Sequence, residues 1–592
     1  MAKQKFRWIT KRKRSEPEAD YETPVWLGNK SNGEFFHHQT ERERKMRDEI
    51  LRRCDDNARK LGMDRREFMA TSMGMLTTLS VFNMAAGCGD KNGFMAPGVV
   101  NDFMAGQGGV IPPGAAGVGG VAMPAAGSSS MGVAGGITPP PISGTGAAGQ
   151  NAPLGGMGGG VGQAGAPQMA GGMGGDAMGG KSGSGGRMSD GGFMVPNEGC
   201  MDQALADRLL KQEYFILDVQ THHAEGPTIF SCINGDCGQK AYVKAVFGDS
   251  ETTVAVLSGL PASGVTNGDV QGTFGVSNET LYSTRDLVNM TAASKRMIAH
   301  CQVTPNGTPA ANSEMMERLL RDHQTKGWKC YPPAEGGWFL TNPNAMMFIQ
   351  KAIELGEPLI CAHKGFPFPG WSLQHADPGP DVGKVATMFP NVNFVIYHSA
   401  CANEAIMAEG MGYWNPGDPV DPLNGGTSRL AKVVHEAGLT NKNVYAEMGS
   451  VWSLLMNDPM LSQHYVGKML KYVGSERLVW GTESIWLGAP QPQIAAFKMF
   501  KISDEIRDRY GYPEFTDTVK RQVFGLTSAK LYGIDPGACY TSFQADAIAQ
   551  YRKEADEEWG EGRFAQFRPV MTKYKDYLHH GKERKASGAP DA

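Results

Sequence analysis

The chain has 592 residues, with 57 Lys and Arg against 61 Asp and Glu and a formal net charge of −4. That balance makes no case for nucleic acid as a partner. The 78 glycines, 35 prolines and 33 methionines exclude a chain that is globular throughout, because much of the excess lies between about residues 89 and 195, where too little apolar area is available to offset the entropy of ordering.

Residues 1–62 are polar, with a basic run at Lys11–Arg14 and a charged stretch, ERERKMRDEILRRCDDNARKLGM. They are read as partly helical or disordered. Residues 63–88 hold Arg65, Arg66 and Phe68, then a mildly apolar run that ends in AAGC at Ala85–Cys88. The order matches an export signal of twin-arginine type closed by a lipoprotein-like box, with Cys88 as the lipidation candidate. Ala85 replaces the usual leucine of that box. The plainer alternative is an Arg-Arg pair on a surface helix beside an apolar turn. Met63 is an alternative start, and without cleavage residues 69–87 are marginally long for a single membrane anchor. The expected location is the periplasm or the cell exterior, on a membrane tether through Cys88; the alternative is a cytoplasmic protein with a misplaced start. Residues 89–197 read as a disordered Gly/Ala/Met/Pro-rich linker.

Residues 198–540 alternate short apolar runs with amphipathic helical stretches. The runs are YFILDVQTH, TTVAVLSGLP, RMIAHCQV, GWKCYPP, PLICAHKG, NFVIYHSA, NVYAEMGS and RLVWGTES. Buried strands alternating with helices indicate a parallel sheet, and eight such units predict an α/β fold, a closed (β/α)8 TIM barrel whose chemistry sits at the C-terminal ends of its strands. Those ends carry Gln220 and His222, His300, Lys329, His363, His398, Glu447 and Glu483; the second run is nearly blank. Strand alternation puts Asp218, Gln220 and His222 on one face. The same parity groups His363 with Cys361, and Glu483 with Gly481. Imidazoles and a carboxylate from strands one, five, six and eight then converge, a ligand set for Zn²⁺ or a similar ion. A lone histidine at a strand end is usually structural; three on separate strands of one barrel point to a site. His223 faces away from His222. Lys364 alternates away from His363 but reaches the rim if the following loop turns.

Of the ten cysteines, Cys232 and Cys237 close a short loop and suit a disulfide in an oxidising compartment. Cys301, Cys330, Cys361 and Cys401 read as small buried apolar residues. Residues 541–592 form a charged helical tail, expected on the barrel exterior or between subunits of a homodimer.

LDVQTHH, ICAHKG, NFVIYHSA, LVWGTES and VKRQVFGLTSAKLYGID together resemble the amidohydrolase-related metal-dependent hydrolases (amidohydrolase family 2), in particular the branch that includes aminocarboxymuconate-semialdehyde decarboxylase. The resemblance spans roughly residues 213–536. It implies a barrel with one divalent metal ion, usually zinc. Gln220 and His222 then occupy an H-x-H pair, His363 the strand-five ligand, His398 the histidine that handles the proton of a water, and Glu483 the place of an aspartate. Two positions depart from the pattern. A glutamine carbonyl is a weaker zinc ligand than imidazole, and glutamate shifts its carboxylate by roughly 1 Å or more, enough to matter for catalysis.

The expected activity is hydrolysis or non-oxidative decarboxylation of a small organic substrate. His398 and Glu483 are the catalytic candidates; Gln220, His222, His363 and Glu483 the metal ligands; Lys329, Lys364 and His300 the substrate contacts. The competing expectation, motivated by Gln220 and Glu483, is a metal-free barrel that serves as a membrane-tethered binding protein.

Overall fold

The structure, a computed structural model, describes residues 23–87 and 192–559, apart from 32–35, 38, 225–236, 267, 273–275, 306–307, 335, 368–369 and 402–425. Cys88, Cys232, the 89–191 part of the expected linker, the basic run Lys11–Arg14 and the tail beyond 559 lie outside the described residues.

Three helices precede the barrel: α1 (Glu41–Leu61), α2 (Arg65–Met69) and α3 (Ser72–Gly87). Thr40 and Glu43 form a capping box at the start of α1, satisfying amides that would otherwise lack partners. Asp64 caps α2 by accepting from the amides of Arg66 and Glu67. Arg66 is exposed while Phe68 is buried, so the arginine pair stands at a capped helix start and the phenylalanine anchors it. Met75, Leu76, Leu79 and Phe82 of α3 are buried; α3 packs on α1 and on the helices Gln203–Leu210, Pro459–Lys468 and Gln491–Met499. Each such side chain contributes roughly 1.5–3 kcal/mol. No helix among the described residues is long and apolar enough to cross a membrane.

The barrel strands are β1 (Leu217–Thr221), β2 (Val254–Leu257), β3 (Met297–Ala299, resuming at Cys301–Gln302), β4 (Trp328–Cys330), β5 (Leu359–His363), β6 (Asn393–Tyr397), β7 (Val444–Glu447) and β8 (Leu478–Val479). All eight predicted runs are strands. Each pairs in parallel with its sequence neighbour from β1 to β8. The cylinder closes where the Val219 amide donates to the Trp480 carbonyl at 3.0 Å, the Glu483 amide to Gln220 at 2.8 Å, and Thr221 bridges Ser484 in parallel. This closure makes the fold a (β/α)8 barrel. One buried cluster takes Leu217, Val219, Val256, Cys361, Val395, Tyr397 and Val479; residues of opposite parity, such as Ala255, Ile360, Ile396 and Trp480, join the larger cluster with the helices.

Strict alternation fails in β1. The β1–β2 register shifts between Asp218 and Thr221, a bulge-type irregularity that re-aims side chains. Asp218, expected on the face of Gln220, instead accepts from the backbone amides of Gln220 (3.2 Å) and Thr482 (3.1 Å) and from the Thr482 hydroxyl.

Candidate metal centre

Four expected ligands come together at the C-terminal mouth, all at most 1% exposed. The strand register sets His363 opposite Tyr397 and Glu447 opposite Val479, which brings β5 to β8 to one level. Two of the donors arrive by a route no parity rule contains. His398 follows the inward-facing Tyr397 directly, yet also turns inward because its φ is 59°; Ser399 and Ala400 continue at 45° and 53°. Glu483 has φ 58° and Ser450 φ 56°. A non-glycine residue in this region costs roughly 1–2 kcal/mol, and such strain concentrates at functional sites. The Ser450 hydroxyl donates to Glu483 Oε2.

The imidazole tautomers follow from their outer partners. His222 Nδ1 faces the Ser258 carbonyl at 2.9 Å, His398 Nδ1 the Gly449 carbonyl at 2.8 Å, and His363 Nε2 the Gly365 carbonyl at 3.2 Å. A carbonyl only accepts, so each of these nitrogens carries the proton. The three remaining nitrogens present lone pairs inward, and His398 Nε2 stands 3.2 Å from His363 Nδ1. His398 Nε2 is 3.4 Å from Glu483 Oε1. Two facing lone pairs repel unless a cation or proton lies between them.

Burial pushes His222 down to about 3, with the Lys329 charge adding to the effect. It also holds His398 well below the usual imidazole range, again with Lys329, and His363 likewise, with His398 and then Lys329 contributing. Neutral imidazoles are the form that binds metal.

The Gln220 amide stands among these donors. Its Nε2 donates to Glu483 Oε1 at 3.1 Å and lies 3.3 Å from His398 Nε2 and 3.4 Å from His222 Nε2. Two amide hydrogens face three acceptors. Its Oε1 is buried with no hydrogen-bond partner among the described residues. Among those residues no group of three or more His, Cys, Asp and Glu side chains is placed so that it could hold a metal ion as it stands. The chemistry of the donors nevertheless fits a divalent cation: three inward lone pairs, a carboxylate and an orphaned carbonyl oxygen.

Glu447, beside the cluster, accepts from the His398 amide at 2.8 Å and from the Gly449 amide. A Cβ on Gly481 would collide with Glu447 Oε1 and lie 2.7 Å from its Cδ; one on Gly449 would collide with Gln220 Oε1. Glu447 is held by two backbone amides, so glycine is required at position 481. Burial, helped by the Glu483 charge, raises Glu447 to about 8. Burial alone raises Asp218 to about 7.

The three expected substrate contacts divide. Lys329 is fully buried, with its Nζ 3.3 Å from the centre of the Tyr397 ring and 4.8 Å from that of Tyr331. His300 sits outside the ligand cluster, bonded to the Ser258 hydroxyl and to the Tyr532 hydroxyl, both at 2.7 Å. Lys364 does not reach the rim. It is buried on Asp381, at 2.9 and 3.0 Å, and donates to the His375 carbonyl at 2.8 Å; an amine committed to a buried carboxylate is a structural element. His223 turns away, as alternation requires, and contacts the Thr284 hydroxyl at 3.0 Å.

Sequence reasoning missed Ser258, the end of the nearly blank second strand, which orients both His222 and His300. It also missed Ser450 and the aromatic walls. Trp486 stacks near His222 (6.1 Å between ring centres), Tyr331 on His363 (5.3 Å), and Trp371 and Phe366 stand edge-on to His363 and His398 (both 5.3 Å). Cys237 is disulfide-bonded, while Cys232, its expected partner, lies outside the described residues; Cys301, Cys330 and Cys361 are buried free thiols, and Cys401, expected with them, is only partly buried.

The burial of these groups gives acid stability a definite shape. The imidazoles of His222, His223, His300, His363 and His398 are held below the unfolded value, near 6.5. The unfolded chain therefore binds their protons first, and stability falls as pH drops below about 6.5. Asp218 and Glu447 act with the opposite sign: their contribution is present at low pH and lost as pH rises through about 7 and about 8. The imidazoles outnumber the carboxyls, so thermal melting of chelated protein is expected to peak near pH 6–7 and to decline on both sides. A melting temperature that is flat between pH 5 and 7 would contradict these assignments.

A closed parallel barrel with buried imidazoles, a carboxylate and an amide at its C-terminal mouth is an arrangement that can host metal-assisted chemistry. Residues 260–534 match the family model described as amidohydrolase. The matched range contains His363, His398 and Glu483 but begins after Gln220 and His222. No curated protein matches the chain.

Among solved structures, similarity is found to a 2,6-dihydroxybenzoate decarboxylase from Rhizobium (13% identity, 54% of this chain and 99% of that one, TM-score 0.34). A dihydroxybenzoic acid decarboxylase from Polaromonas with bound manganese and 2-nitroresorcinol is also similar (12%, 54% and 97%, TM-score 0.34). So is a protein described as a probable 2-pyrone-4,6-dicarboxylic acid hydrolase from Acinetobacter baumannii (13%, 54% and 99%, TM-score 0.35). At these scores the barrel rests on its own strand pairing.

Proposed function

We propose that the protein is a metal-dependent hydrolase or non-oxidative decarboxylase acting on a small, planar, carboxylate-bearing substrate. The observation that carries this reading is the grouping of three inward imidazole nitrogens and Glu483 about the Gln220 amide nitrogen at the buried mouth. His222, His363 and Glu483 would hold a divalent ion, zinc being the expected one from the nitrogen-rich donor set, with Gln220 as a weaker fourth ligand. Such an ion supplies Lewis acidity, polarising a substrate oxygen.

The chain's own residues supply the rest. His398, fixed by the Gly449 carbonyl and neutral at pH 7, takes or returns a proton at Nε2. Lys329 places a buried positive charge beside the imidazoles and binds the substrate carboxylate. Tyr331, Trp371, Phe366 and Trp486 wall the mouth with rings that favour a flat substrate and exclude water. Gln220 must turn its amide for Oε1 to face the ion, releasing its bond to Glu483.

Chelation tests this proposal. A bound ion at a hundredfold excess over its Kd adds about 2.7 kcal/mol to stability, so a strong chelator is expected to lower the Tm of the wild type and leave His363→Ala unmoved. No shift in the wild type would sink the proposal. One observation favours a second reading, a metal-free binding barrel: the Gln220 amide already bridges Glu483 and the histidines without an ion. That reading predicts ligand binding indifferent to chelator.

A further inference from the structure

We propose that residues 41–87 are a permanent intramolecular partner of the barrel, and that residues 88–191 are an insertion between two joined ends rather than a tether between a removable leader and an enzyme. The chain leaves the described body after α3 and returns at Gly192 and Phe193, and these two points are clasped. Asn83 Oδ1 accepts from the Phe193 amide at 2.9 Å, and Asn83 Nδ2 donates to the Phe193 carbonyl at 2.6 Å. Gly192, at φ 95°, sits so close that a Cβ there would lie 2.6 Å from Asn83 Oδ1. The returning strand Gly192–Phe193 pairs antiparallel with Phe500–Lys501, and the Phe193 ring lies between Phe82 and Phe500, 6.3 and 6.2 Å away.

Polar contacts fix α1 and α3 to elements distant in sequence. Arg42 pairs with Asp458 at 2.6 Å, Asn457 donates to Glu43 at 3.0 Å, Ser72 donates to Asp207 at 2.7 Å, and Asn57 donates to the Cys200 carbonyl at 3.4 Å. Three of the features that resemble an export signal have a structural reason in this layer. Asp64 caps the helix that starts with the two arginines, Phe68 is its buried anchor, and the mildly apolar run is the core-facing helix α3. Removal at Cys88 would strip the cover from Phe193, Phe500 and the Pro459–Lys468 and Gln491–Met499 helices. The helices thus behave as the first part of the enzyme domain, interrupted by residues 88–191.

The test is cleavage of the intact, folded chain. A specific protease site is placed near residue 140, and the cut protein is run on a sizing column under reducing conditions. The two fragments are expected to co-elute, to separate only in denaturant, and to keep the Tm of the uncut protein within about 2 °C. Replacing residues 90–190 by a short Gly-Ser linker is expected to leave the same Tm, and Asn83→Ala to lower it. Native separation of the fragments would overturn the proposal. So would purified mature protein that begins at Cys88 and melts like the full chain.

Discussion

Replacing His398 by alanine is expected to lower kcat by about 10²- to 10⁴-fold, the range supplied by a positioned proton-transfer group, while KM changes little. Nε2 of this ring faces the metal-type donors at 3.2 to 3.4 Å, while its other nitrogen is committed to Gly449. The left-handed turn at His398, Ser399 and Ala400 costs free energy and has no packing reason of its own, since Tyr397 already fills the interior position. Steady-state kinetics on His398→Ala, with circular dichroism to confirm folding, checks this. Unchanged kcat would remove His398 from the reaction.

Gly481→Ala is expected to damage the site as severely, without touching any ligand. The added methyl would occupy the place of Glu447 Oε1. That carboxylate is held by the backbone amides of His398 and Gly449, so it cannot swing aside without leaving buried donors unpaired, at about 1–3 kcal/mol each. A Tm loss of roughly 5–10 °C is expected, together with loss of activity, because the displaced Glu447 no longer fixes the turn that aims His398. Thermal melting of Gly481→Ala reads the first effect. A variant with wild-type Tm and turnover would show that Glu447 does not organise the turn.

The barrel was legible because its signal is local and repeated: apolar runs such as PLICAHKG and NFVIYHSA alternate with helix-period segments, and burial on both strand faces demands that pattern. The ligand histidines were legible for the same reason, as polar residues that end buried strands. Three features were not. Asp218 was placed by alternation, which a bulge in β1 overrides. The sequence lets Lys364 reach the rim, but its place depends on Asp381, which is adjacent only in space. Cooperation of Glu483, Ser450 and His398 depends on positive φ values that no residue identity announces. The N-terminal helices are a different case: RREF followed by a mild apolar run has one composition, whether it serves a transport receptor or a capped helix packed on a barrel.

The central claim, a divalent ion at the mouth of the barrel, is tested most directly by elemental analysis of full-length protein purified without chelator, beside His222→Ala. About one divalent ion per wild-type chain is expected, with a marked loss in the variant. Wild-type protein free of metal, and unable to take up zinc or manganese in equilibrium dialysis, would contradict it.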